Sequence, residues 1–424
     1  MKRTTQVCGI DFGTSNSTVS IMAGGTAQLI ALEGRSPTIP SAVFWDSEGA
    51  APEFGRAAIA AYTEGWDGRL MRGLKSTLGS PLIHEKTRVG NRALAFTDIL
   101  GCFFGHLRDK LDQVQPGTHH AVLGRPVHFV DNDPEGDEAA QDVLHAIARD
   151  NGFEHVGFQF EPIAAALHYE STVEAEELVL IVDIGGGTSD FSILRVSPAG
   201  RSKPDRDQDI LASHGIRVGG TDFDRLLSLA QVMPALGLGS PINKGKNVMP
   251  LHYYHDLATW HRINAIYAGR ALIELKQIRY DADAPQVLDR LIGVIEGRSG
   301  HSIAMAVEAA KIDLSETLAT PIRLTEFIGM DTGATRAIFD AVVHKPVARI
   351  AEAIAIVLAQ AGLHPGQVGP NRIGTVFMTG GSSSLPIVQA AVQASLPGVR
   401  IATGDLLGSV GTGLALDAAR RFGG

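Results

Sequence analysis

The 424-residue chain has only two cysteines, Cys8 and Cys102, one in an apolar strand-like run and one in a helix-like run. Neither a disulfide framework nor a zinc knuckle is legible, and a reducing cytosol suits such a chain. Basic residues are also in deficit, with Lys plus Arg at 37 against Asp plus Glu at 46 and a formal charge of −9. No broad basic face is available for a phosphodiester backbone, which excludes nucleic acid as the principal partner. Long apolar runs are missing as well. The best stretch, residues 347–363, is Ala-rich and carries Arg349 and Glu352, well short of the ~20 apolar residues of a membrane span. The basic start is followed by Gly9 and Asp11, before a signal-peptide core could form. Hydrophobic residues at 44% and charged residues at 20% are ordinary values, which excludes a disordered, collagenous or coiled-coil chain. The length suggests about two or three domains.

What is present is a repeated pattern. Residues 7–21 read as an apolar strand ending in Asp11, a tight turn through Gly13, Thr14, Ser15 and Asn16, and an alternating strand. Residues 178–194 repeat it: an apolar strand ends in Asp183, followed by Gly185, Gly186, Gly187, Thr188, Ser189 and Asp190. Two such hairpins a domain apart predict an internally duplicated fold of two similar lobes. The rest alternates β and α, so the class is α/β. Helices are predicted over residues 97–112, 137–151, from Glu161, over 222–236, 253–277, 302–318, from Lys345, and over 406–422. Strands are predicted over 121–130, with Pro126 inside, near 321–327, and over 374–378. Residues 203–209 and 237–250 read as loops, and His119-His120 as a loop too.

Glycine-rich hairpin tips let backbone N–H groups approach phosphate oxygens, because a Cβ would obstruct the approach. Short hydroxyls at Thr14, Ser15 and Thr188 add donors. Asp11 and Asp183, at strand ends of opposing hairpins, could hold a hydrated Mg²⁺ on a triphosphate. A third loop, Gly380-Gly381-Ser382, has the same composition. No Walker loop and no Rossmann glycine fingerprint occurs, so the pattern is a phosphate clamp of another kind.

These residues resemble the five-motif signature of the actin, hexokinase and heat-shock ATPase superfamily. More narrowly, the chain resembles the nucleotide-binding domain of DnaK-type seventy-kilodalton heat-shock chaperones. The likeness rests on residues 10–16, 35–44, 75–79, 161–167, 183–190, 218–224 and 308–315, seven phrases in the family's order. It implies an actin-like ATPase fold, ribonuclease H-like in each of two duplicated lobes, with smaller outer subdomains and a nucleotide cleft between the lobes. Lobe I would be residues 1–177, with a C-terminal helix (406–424) returning to it, and lobe II residues 178–405.

By position, Asp11 and Asp183 resemble carboxylates that hold Mg²⁺ through water, with K⁺ a further candidate ion. Gly13 to Asn16 and Gly185 to Thr188 resemble phosphate loops. Lys75, Glu161 and Thr188 resemble groups around the attacking water, which suits a phosphoryl transfer that needs positioning and charge neutralisation. Either Glu161 or Asp190 would orient or deprotonate that water, Asp190 having a turn-cap alternative. Glu308, Lys311 and Ser315 share one helix face, which the resemblance assigns to adenine and ribose, the alternative being a surface ion pair. Gly220, Gly380, Gly381, Ser382 and Asp405 complete the implied nucleotide set.

Several departures stand out. Ser383-Ser384-Leu385 occupies the place of a customary Arg, and Ile312 that of another basic residue. Losing both removes cation–π attraction of about 0.5–2 kcal/mol each, so weaker affinity or base selectivity is expected. Residues 235–300 match poorly and are lengthened, and no peptide-binding domain is expected after Gly424, as in short YegD-type chaperone-like proteins. His252, His255 and His261 beside Asp256 read as helix-surface or packing histidines. Tyr253, Tyr254, Trp260 and Tyr267 read as core or, failing that, as the best protein-contact surface. The expected function is a slow, nucleotide-driven switch: a cytoplasmic, chaperone-like ATPase, monomeric, with ATP and ADP as ligands and a protein client. A metabolite kinase and a non-catalytic scaffold or filament protein are the alternatives.

Overall fold

The structure is a computed structural model that describes residues 5–423 apart from 50, 131–132, 171–172, 201–202, 204–205, 268, 365–371 and 404–407. The chain forms two compact units: Met1–Arg217 with Ala351–Ser383 and Val392–Gly424, and Val218–Ile350 with Ser384–Ala391. Among the described residues no helix is long and apolar enough to cross a membrane.

The first unit is organised around two large sheets. In one, β1 (Val7–Phe12), β2 (Asn16–Ala23), β3 (Thr26–Leu29), β4 (His120–Arg125) and β5 (His155–Phe160) lie in the order β5-β4-β1-β2-β3, with the short strand Thr38–Pro40 also paired to β2. In the other, β6 (Glu177–Ile184), β7 (Ser189–Val196), β8 (Ile210–Ile216), β9 (Ile373–Thr379) and β10 (Arg400–Thr403) lie in the order β8-β7-β6-β9-β10. Each sheet begins with an antiparallel meander and then adds two parallel strands on the other side of its first strand. The duplication read from two hairpins therefore extends through five strands per sheet. Leu178 to Val182 are all buried, as expected of a central strand covered on both faces.

Helices α1 (Phe96–Val114), α2 (Pro134–Asp150), α3 (Glu161–Glu170) and α4 (Ser409–Phe422) belong to this unit. The apolar stripe of α1 packs Phe103 and Phe104 onto Phe12 of β1, with ring centroids 5.8 and 5.2 Å apart. Helices α3 and α4 cross where both are made of small residues. A Cβ on Gly413 would lie 1.8 Å from the Ala164 carbonyl oxygen, so only glycine permits this backbone contact.

Several predicted elements change. Strand β4 ends at Arg125 because Pro126 has no N–H for the ladder, and His120, expected in a loop, is its first residue. The helix predicted from 137 starts at Pro134, capped by Asp133, which accepts from the Gly136 N–H at 3.0 Å. Residues 253–277 are not one helix but His252–Leu257, Ile263–Ile266 and Gly269–Tyr280, with a 3₁₀ turn at Trp260–Arg262. The predicted strand near 321–327 is the strand Ala319–Ile322 followed by a short helix, Thr325–Ile328. The helix predicted from Lys345 begins at Arg336 and carries Pro346 inside it. The helix Pro285–Glu296 had no counterpart in the sequence reading. The loop over 203–209 lies partly outside the described residues, and so does the start of the helix predicted from 406.

Candidate functional site

The site is built on the first unit's two hairpins. Asp11 pairs with Thr18 across the first and Asp183 with Asp190 across the second, so each carboxylate is delivered at the end of a buried strand. Ser41 braces the first turn: its hydroxyl donates to the Gly13 carbonyl at 2.7 Å and its N–H to the Ser15 carbonyl at 2.9 Å. In the second turn the Gly185 N–H donates to the Thr188 carbonyl at 3.0 Å. The Thr188 hydroxyl donates to Asp190 Oδ2 at 3.4 Å. The tips meet, since a Cβ on Gly186 would lie 2.0 Å from Ser15 Oγ.

The third loop follows β9, which pairs with β6 so that Thr379 lies beside Asp183. Gly380 has φ +81°, and a Cβ there would sit 2.4 Å from Asp183 Oδ1. Ser382 and Ser383 are buried, and the Ser383 hydroxyl donates to the Gly380 carbonyl at 2.7 Å.

Lys75 lies in a one-turn 3₁₀ helix after Gly73. It is buried, and its ammonium donates to Glu161 Oε1. Burial alone would lower its pKa, but the carboxylates of Glu161, Asp11 and Asp190 outweigh that and push it up. Asp11 is pushed up to about 7 by burial and by Glu161, with Lys75 opposing and Asp183 adding. Asp183 is pushed up to about 7 by burial, Asp190 and Glu161, again against Lys75. Burial first, and the neighbouring carboxylates second, thus favour the protonated form of Asp11 and Asp183. Among the described residues no group of three or more His, Cys, Asp or Glu side chains is placed to hold a metal ion directly, so a divalent cation here would be held through water by Asp11 and Asp183.

In the second unit Glu308, Lys311 and Ser315 lie on the helix Gly300–Glu316. Lys311 is buried, with its ammonium 2.8 and 2.9 Å from the two Asp224 oxygens and 3.3 Å from the Gly220 carbonyl. The Ser315 hydroxyl donates to the Ile312 carbonyl at 2.6 Å, and Ile312 itself is exposed. Asp405 lies outside the described residues.

The weaker candidates resolve into packing. Tyr253 and Tyr254 are buried, while Trp260 and Tyr267 are half-buried, Trp260 edge-on to His301 at 4.7 Å and the Tyr267 hydroxyl accepting from the Gly300 N–H at 2.8 Å. Asp256 pairs with Arg262 at 2.7 Å, and His252 and His255 are exposed. Ser41 falls within residues 35–44, one of the segments that carry the resemblance, but its role as a brace depends on long-range pairing. The contact of Gly380 with Asp183 has no signal in sequence.

A family model described as Hsp70 protein matches residues 75–231 and 296–400, well over half of the chain. The chain belongs to the Hsp70 family and has that family's actin-like ATPase fold. Members of this family are nucleotide-binding, chaperone-type ATPases. The unmatched stretch 232–295 coincides with most of the lengthened segment in the second unit.

Proposed function

We propose that this chain binds Mg-ATP on the paired hairpins, hydrolyses it slowly, and works as a nucleotide-driven conformational switch of chaperone type. The observation that carries the reading is the buried Lys75–Glu161 ion pair among Asp11, Asp183 and Asp190. In this reading the backbone N–H groups of residues 13–16 and 185–188, with the hydroxyls of Thr14, Ser15 and Thr188, cradle the phosphates. Asp11 and Asp183 hold Mg²⁺ through water. The bound ion neutralises phosphate charge. Lys75 offsets charge at the terminal phosphate, while Glu161 or Asp190 orients the attacking water and Thr188 positions it.

Glu308, Lys311 and Ser315 are the base and ribose contacts of this proposal. Lys311 is tethered by Asp224, so the face offers its exposed Ile312 where a stacking cation would act. Weak affinity for the base follows. Each hairpin grips the same phosphates, so hydrolysis removes a contact both share, which is the differential interaction a switch requires. The lobes are residues 1–177 and 178–405, and the ligand of the switch is a protein client in the cytoplasm.

The test is phosphate release from Mg-ATP without any acceptor, beside Lys75→Ala and Thr188→Ala. Turnover lost in both variants supports the ATPase. Binding without turnover in the unaltered chain overturns it.

A further inference from the structure

Helix α3 is a strut between the two large sheets of the first unit. It begins directly after β5 of the first sheet, and its first residue is Glu161. Its last two residues, Tyr169 and Glu170, are fastened to the second sheet by two separate polar networks.

The Tyr169 hydroxyl donates to Glu177 Oε1 at 2.5 Å, at the start of β6, and lies 3.0 Å from Thr375 Oγ1 on β9. Arg400, at the start of β10, donates to the same hydroxyl at 2.5 Å, and its guanidinium carbon is 5.8 Å from the ring centroid. The Tyr169 ring also packs on Phe377, with centroids 5.6 Å apart. Three strands of the second sheet therefore hold one tyrosine.

Glu170 is fully buried. Arg206 meets it with two nitrogens, at 2.8 and 2.9 Å, and the Ser197 N–H donates to it at 2.9 Å, just beyond β7. Arg206 in turn donates to Asp209 and, at 2.9 Å, to the Gly200 carbonyl. A buried ion network of this kind contributes little net stability against an apolar alternative, while the two parallel bonds from Arg206 to Glu170 add geometric specificity. Such a network at the end of a ten-residue helix fixes the helix along its axis and about it. The far end, ~13 Å away at about 1.5 Å per residue, is Glu161.

We propose that Tyr169 and Glu170 are positioning residues for the Lys75–Glu161 pair. Covalent continuity with β5 sets where α3 starts in the first sheet. The two pins set how it seats on the second, and so where the Glu161 carboxylate stands against Lys75 and the strand end bearing Asp183. The kinetic consequence rests on the proposed ATPase reading; the placement of the ion pair does not.

The experiment uses the full chain with ¹⁵N-labelled lysine and follows the Lys75 ammonium resonance, assigned with Lys75→Arg, in Tyr169→Phe and Glu170→Gln. Tyr169→Phe removes one hydroxyl and keeps the ring, so it remains informative where Glu170→Gln fails to fold. The expected result is a shifted or exchange-broadened Lys75 resonance in a variant that still melts cooperatively. Steady-state turnover of Mg-ATP falls ~10-fold with KM within about twofold, as for a catalytic group displaced from a distance. A lowered melting temperature with an unchanged Lys75 resonance and unchanged kcat overturns the proposal and leaves the pins merely structural. A displaced Lys75 resonance in the variants, with no turnover even in the unaltered chain, supports the positioning and sinks the ATPase reading instead.

Discussion

Gly186 and Ser15, at the tips of hairpins built from different sheets, approach so closely that a Cβ on Gly186 would lie 2.0 Å from Ser15 Oγ. The contact joins the two proposed phosphate loops, and it is made by the smallest side chain on one side and one of the smallest on the other.

Gly186→Ala is therefore expected to force the Ser15 hydroxyl into another rotamer at a cost of about 1 kcal/mol of stability, and to weaken Mg-ATP binding. Ser15→Ala in the same chain removes the offending oxygen, leaving its Cβ 3.4 Å away. Thermal melts of the single and double variants decide the matter. Recovery of most of the lost stability in the double variant is the expected result; two additive losses would refute the contact.

The carboxylate cluster sets a pH dependence with a definite sign. Asp11 and Asp183 ordinarily titrate near 3.8, and both are pushed up to about 7 in the folded chain. The folded state thus holds their protons more tightly than the unfolded state does. Their contribution to stability is full below about pH 4 and is lost as pH rises through about 7. Asp183→Asn should match the unaltered chain at about pH 4 and below, and melt ~2–6 °C higher near pH 8. Equal melting temperatures at both pH values would contradict this.

The same two groups predict that Mg-ATP binding releases protons near pH 6.5. Calorimetry in two buffers of different ionisation enthalpy measures the number released. Release is expected to shrink at pH 8.5, where the carboxylates are already ionised, and chelating the metal with EDTA should abolish it at either pH.

At the α3–α4 crossing, Gly413→Ala places a carbon 1.8 Å from a backbone oxygen that cannot rotate away. The helices must separate, at a cost of about 3 kcal/mol or more. Soluble yield and melting temperature should both fall well below those of Gly411→Ala, whose nearest obstacle is the Thr18 side chain rather than backbone.

A histidine cluster at the start of β4 and β5 acts in the opposite pH direction. The rings of His120 and His155 stack at 4.4 Å, with Phe422 of α4 at 5.2 Å and the His119–Glu154 pair beside them. Burial, then His155 and His119, hold His120 below its ordinary 6.5, with Glu154 opposing. Its contribution to stability is present above that value and is lost as pH falls through the lowered one. His120→Gln should flatten the melting profile on the acid side of about pH 6.5, and NMR titration of the His120 imidazole should find it below its ordinary 6.5.

Local chemistry was written plainly in the residues that carried it. Asp11 and Asp183 closed apolar runs, glycines and hydroxyls followed them, and the spacing of the two copies announced a duplicated α/β fold. Such features are short-range, set by strand periodicity and by turns that only glycine fits. Where the chain was locally ambiguous the reading slipped. The segment from Tyr253 to Gln277 is helical in pattern but broken by packing. The helix expected from Lys345 starts at Arg336 and runs through Pro346, because Val343 and Val347 on either side of the proline are held in the core.

The placement of Lys75 beside Glu161, of Ser41 beneath the first turn and of Gly380 against Asp183 required the folded chain. So did the locking of Tyr169 and Glu170 to the second sheet. These partners are far apart in sequence and meet only because two sheets are packed through crossing helices. The raised pKa values of Asp11 and Asp183 have the same origin: a carboxylate's type is a property of sequence, but its burial and its charged neighbours belong to tertiary structure.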